Sequence, residues 1–67
     1  MREHLSSVQR LRKATGLTQQ ELANKTGINI RQIQKYEYGE YDTGKMMLRN
    51  AIALADVLEC DVRELIR

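Results

Sequence analysis

Few side chains in this 67-residue sequence are suited to covalent or metal chemistry: it has one histidine, His4, and one cysteine, Cys60. His4 has no cysteine or carboxylate partner at metal-ligand spacing, so no metal site is expected. A lone cysteine excludes an internal disulfide and fits a reducing compartment. The sequence offers no Ser/His/Asp arrangement, no glycine loop shaped for phosphate and no convincing carboxylate pair. The expectation is a non-enzyme without metal, cofactor or small-molecule ligand. What remains is charge, and it is uneven. Residues 1–35 carry seven basic side chains against two acidic ones, a net of +5, while residues 36–67 carry four against seven, a net of −3. A basic half of this kind suits a polyanion. Solvated helix faces are the plainer explanation of the same charges.

The elements that must position these charges are helical. Proline is absent, glycine occurs four times, and apolar residues recur at helical period between the glycines. Leu5, Val8 and Leu11 mark a first helix ending near Thr15-Gly16. Thr18-Gln19-Gln20-Glu21 is a capping box in which Thr18 and Glu21 satisfy each other's free N–H groups. It opens a second helix that carries Leu22 and Ala23 and stops at Gly27. Asn29 caps a third helix, which buries Ile33 and Tyr36 before Gly39. Leu48, Ile52, Ala55 and Leu58, with Ala51, form the expected stripe of a fourth helix; Asp42, Thr43 and Gly44 all offer cap chemistry ahead of it. Asp61 and Glu64 bracket the start of a short fifth helix holding Val62, Leu65 and Ile66. Only Thr26-Gly27-Ile28-Asn29 joins the second helix to the third. So short a joint forces a steep crossing, with Ala23 facing Ile33 and Ile28 filling the angle. This is helix-turn-helix geometry, and it leaves the third helix with one polar side free. With 42% apolar residues, one aliphatic core suffices for a single domain over residues 1–67, the helix-turn-helix lying at about 18–37.

The segment Leu17-Thr18-Gln19-Gln20-Glu21-Leu22-Ala23-Asn24-Lys25-Thr26-Gly27-Ile28-Asn29, followed by Ile33 and by Tyr36-Glu37 and Gly39, resembles the lambda-repressor/Cro-like helix-turn-helix family. Ala53 to Ile66 also looks like that family's last two helices, so the resemblance spans about residues 5–66. It implies an all-α, five-helix domain that binds operator DNA with its third helix in the major groove, often as a dimer. Carried over by position, the resemblance places Ile30, Arg31, Gln34 and Lys35 on the base-reading side. Arg31 and Lys35 suit guanine, Gln34 suits adenine, and Ile30 offers only apolar contact. Gln19 matches a phosphate anchor, and Arg12, Lys45 and Tyr38 join it as expected phosphate contacts. Arg12 and Glu37 also match a pair that ties the first helix to the end of the third. Cys60 falls where the family places a small apolar side chain. The sequence departs from the family at Ile30, often polar in relatives, at Glu40-Tyr41-Asp42, often basic, and at Met46-Met47, commonly Pro-Ser.

The expected function is therefore a sequence-specific DNA-binding transcriptional regulator of repressor type. The rival expectations are a protein-interaction module on the same fold, using the acidic loop and its tyrosines, and a DNA-binding antitoxin. Double-stranded DNA is the expected partner, with a weak homodimer formed through Val62, Leu65 and Ile66, bordered by Leu58 and the Tyr41 loop. The alternative is that those three side chains simply complete the monomer core. The longest apolar run, Ala51 to Ala55, is far short of the roughly 20 residues that cross a bilayer. No apolar segment of a secretory signal follows Met1-Arg2-Glu3-His4, so the expected location is the cytoplasm.

Overall fold

In a computed structural model, which describes residues 6–66, the chain folds into five α-helices, and no strand occurs among the described residues. They are α1 (Ser7–Thr15), α2 (Gln19–Thr26), α3 (Ile30–Glu37), α4 (Leu48–Leu58) and α5 (Val62–Leu65), with a 3-10 turn at Thr43–Lys45 before α4. Leu5 and His4 lie outside the described residues.

Local chemistry explains most of the boundaries. Ser6 accepts from the Gln9 N–H at 3.1 Å and caps α1. The capping box opens α2: the Thr18 hydroxyl accepts from the Glu21 N–H at 3.0 Å, and the Thr18 N–H donates to the Glu21 carboxylate at 2.9 Å. Gly27 ends that helix in the left-handed region, at φ 77°, its N–H donating to the Ala23 carbonyl. The Ile28 N–H donates to the Thr26 hydroxyl, and the Asn29 side chain accepts from the Arg31 N–H at 2.7 Å. These bonds tie the joint between α2 and α3 to the helix ends on either side of it. Asp42 caps the 3-10 turn through the Gly44 N–H, while α4 starts after Met47 with no side-chain cap.

Val8, Leu22, Ala23, Ile28, Ile33, Tyr36, Leu54, Leu58 and Leu65 form one core, so the α2–α3 junction is filled by Ala23, Ile28 and Ile33, the residues expected there. The Ser7 hydroxyl donates to the Leu65 carbonyl and links the start of α1 to α5. Two expectations need correction. The buried line of α4 is Ala51, Leu54 and Leu58; Leu48 is 71% exposed and Ile52 51% exposed. Apolar side chains lie almost all round α4, so their period cannot choose a face, and Leu54 fills the core instead. Leu65 is fully buried and is not available to a dimer surface, whereas Val62 and Ile66 are exposed. A four-residue helix has one inward position, and Leu65 takes it.

Candidate nucleic-acid interface

The third helix is held from behind by a polar network. The Arg12 Nε donates to Glu37 at 2.7 Å and its second guanidinium nitrogen to the other carboxylate oxygen at 3.1 Å, so α1 and the end of α3 are joined by a two-point pair. A third Arg12 N–H donates to the Leu17 carbonyl at 2.8 Å. The Glu37 side chain is fully buried and that of Arg12 is 11% exposed. The hydrogen bonds to Glu37 hold the Arg12 pKa above its ordinary value, against the opposing effect of burial. Arg12 is therefore a fixed cation. Three of its five N–H groups are held inside the domain, and the side chain also borders the depression that Lys13, Thr18 and Gln19 line.

Gln19, at the first turn of α2, joins the same network. Its amide N–H groups donate to Glu37 at 3.0 Å and to the Tyr38 hydroxyl at 3.2 Å, and its carbonyl oxygen accepts from the Gln34 amide at 3.3 Å. Sequence reasoning paired Arg12 with Glu37 through the family resemblance but missed this extension. No local pattern signals it, because contacts between residues 15 to 19 positions apart depend on the crossing angle of α2 and α3.

The outer side of α3 carries the reading side chains. Arg31 is exposed, and Gln34 and Lys35 are half-buried. Arg31, Gln34, Lys35 and Tyr38 line one shallow depression with Glu40, so three of the four residues expected to read bases share a surface. The fourth does not stand free beside them. Ile30 is half-buried and packs on the core, a correction to its expected exposed position. It instead borders a second depression with Lys13, Thr18, Gln19 and Tyr38. Lys13 was not expected there. Its signal was the basic last turn of α1, where the chain also turns toward α2.

Lys45 is exposed but set apart, in a notch with Tyr36, Glu40, Tyr41 and Asp42. Tyr36 and Tyr41 meet edge to face at 5.5 Å, and the Lys35 ammonium lies 5.3 Å from the Tyr41 ring centre. That contact holds the Lys35 ammonium beside the loop through the negative face of the ring. Cys60 is half-buried against the core, and its thiol is pushed up by burial and by the nearby Glu64 and Asp61. Among the described residues no cluster of three His, Cys, Asp or Glu side chains is placed to hold a metal.

The helix-turn-helix family matches residues 8–65. The chain belongs to that family, in its Cro/C1-type branch. It is 39% identical over 54 residues to the cryptic phage CTXphi transcriptional repressor RstR of Vibrio cholerae serotype O1, a match covering 81% of this chain. The match takes in 46% of that repressor, so this chain spans about half of its length. Among solved structures, the restriction-modification controller protein C.AhdI from Aeromonas hydrophila superposes with a TM-score of 0.76 at 32% identity, covering 88% of this chain and 85% of that one. No described helix is long and apolar enough to cross a membrane.

Proposed function

We propose that this chain is a sequence-specific DNA-binding transcriptional regulator, of repressor type, that places α3 in the major groove of an operator. The carrying observation is the arrangement of α3. Arg12 and Gln19 grip its C-terminal end through Glu37, while Arg31, Gln34 and Lys35 line one open depression beside that network. A helix fixed in this way loses little orientational freedom on docking, which lowers the cost of binding.

Within this reading, Arg31 makes the bidentate contact to a guanine edge and Lys35 supplies a second, single-point donor. Gln34 presents its amide edge to adenine, with its orientation set by Gln19. Ile30 offers an apolar edge where α3 begins. Gln19, Lys13 and Tyr38 border the depression at the start of α2, where the first N–H groups of the helix favour a phosphate. Lys45 takes a second phosphate from the loop side. These contacts set register, and the α3 side chains set sequence. Family membership and the named roles of the repressor and controller relatives support the same reading. The reading further places the protein in the cytoplasm, as a homodimer on a two-fold operator.

Selection from a randomised duplex pool, at low and at physiological salt, tests the proposal. An enriched pseudo-palindrome is expected. No enrichment at either salt would overturn it in favour of a protein-interaction module.

A further inference from the structure

The side of α4 turned away from the core is apolar where a monomer has no use for it. Met47, Leu48 and Ile52 are all more than half exposed and fall within two turns of chain. Leu48 and Ile52 are four residues apart and so stand on one line of the helix. Arg49 and Asp56, seven apart, form a second line beside it, both exposed. Seven residues rise about 10 Å, too far for these two charges to meet on their own helix. The face is thus apolar along one line and, along its rim, positive toward the N-terminus and negative toward the C-terminus.

A surface patterned this way complements itself. Turned through a two-fold axis beside Ile52, a second α4 runs antiparallel to the first. Ile52 of one copy then packs on Ile52 of the other, Leu48 of each reaches over the C-terminal half of its mate's α4, and Arg49 of each copy lies beside Asp56 of its mate. A parallel arrangement would set like charge against like. A two-fold contact also forms each ion pair twice, as an isologous interface requires. α4 packs its other side on α1, α2 and α5, and no residue of α3 belongs to the stripe.

We infer that the exposed face of α4, centred on Ile52 and rimmed by Arg49 and Asp56, is the surface on which a second copy of this chain docks. The inference rests on the proposed homodimer and names its surface, moving it from α5 to α4.

Sedimentation equilibrium of the whole chain without DNA tests the surface separately from DNA binding. Ile52→Glu should raise the dimer dissociation constant at least tenfold while the helical circular dichroism stays unchanged. Ile52→Gln, which removes the apolar group without adding charge, should raise it by a smaller factor. Arg49→Glu and Asp56→Arg should each weaken the dimer, and the double exchange should restore it. Val62→Glu and Ile66→Glu should leave it intact. A monomeric wild type, an unchanged constant in Ile52→Glu, or a double exchange no tighter than the singles would overturn the inference. So would a dimer broken only by the α5 variants. Single half-site binding by Ile52→Glu should match wild type. A wild type that self-associates as described yet selects no DNA would overturn the DNA reading and leave this surface standing.

Discussion

Glu37 is the residue on which the most geometry converges, since its carboxylate receives two donors from Arg12 and one from Gln19 while fully buried. A buried ion pair contributes little net stability when intact, but removing one partner leaves the other charge stranded. Glu37→Ala should therefore cost about 3–5 kcal/mol in a urea denaturation series, with Arg12→Ala in the same range. A loss below about 1 kcal/mol, the scale of an exposed pair, would show that solvent reaches the pair freely. On the outer side of α3, Arg31→Ala should lose about 1–3 kcal/mol on the preferred site and flatten preference at one base pair. Gln19→Ala has two consequences: it releases Tyr38 beside the proposed phosphate depression, weakening all sequences, and it frees Gln34, blurring preference at a second base pair. Competition binding against single-base operator variants reads both effects, and an identical profile for the two mutants would refute this division. The raised pKa of Cys60 has a sign that can be checked as well. A thiol whose pKa lies above its ordinary value holds less thiolate at pH 8, so iodoacetamide should modify Cys60 more slowly than the same residue in urea.

Helix ends and helix faces differ in how far sequence specifies them. Ends follow local chemistry: the Thr18–Glu21 box, Gly27 at φ 77° and the Asn29 cap mark α2 and α3 within a residue or so of where they lie. Faces depend on what packs against them. On α3 the polar and apolar sides are distinct, so Ile33 and Tyr36 read correctly as buried. On α4 they are not, and the inward line proved to be Ala51, Leu54 and Leu58 rather than one through Leu48 and Ile52. α5 is too short for any period, and only the fold shows that Leu65 is its inward residue. The same limit applies to the interface. Arg12 and Glu37 were legible only through resemblance, and the links from Gln19 to Tyr38 and Gln34 were not legible at all, because they arise where two helices cross. The α4 register gives an element-scale test. Leu54→Ala should destabilise by about 2–5 kcal/mol, whereas Leu48→Ala, at an exposed site, should stay within about 0.5 kcal/mol. Comparable losses at both positions in thermal or urea melts would show that α4 is rotated from the position described.

At the scale of the whole molecule, a net charge of +2 understates the field that a polyanion meets. In the fold Arg10, Arg12, Lys13, Lys25, Arg31 and Lys35 sit on α1 to α3 against Glu21 and Glu37, while Asp56, Glu59, Asp61 and Glu64, against Arg49 and Arg63, belong to α4, α5 and the segment between them. Under the proposed function, this imbalance favours an approach to DNA with the helix-turn-helix first. Glu40 and Asp42 are the exception, since they stand beside Lys45 in the loop notch and offset its charge. Lys45 should accordingly contribute less to phosphate neutralisation than Lys13, which has no carboxylate among the residues of its depression. Each phosphate neutralised releases condensed counterions, so the logarithm of the half-site binding constant falls with the logarithm of salt at a slope of about −0.9 per contact. Lys13→Gln should therefore make that slope shallower by about one. Lys45→Gln should change it by distinctly less, and the double variant Glu40→Gln with Asp42→Asn, which keeps Lys45, should bind more tightly than wild type at every salt concentration. Fluorescence anisotropy on a single half-site between low and physiological salt measures all three slopes without interference from self-association. Equal slopes for Lys13→Gln and wild type would remove the α1–α2 depression as a phosphate site, and no gain in the double variant would mean that the acidic loop points away from the DNA.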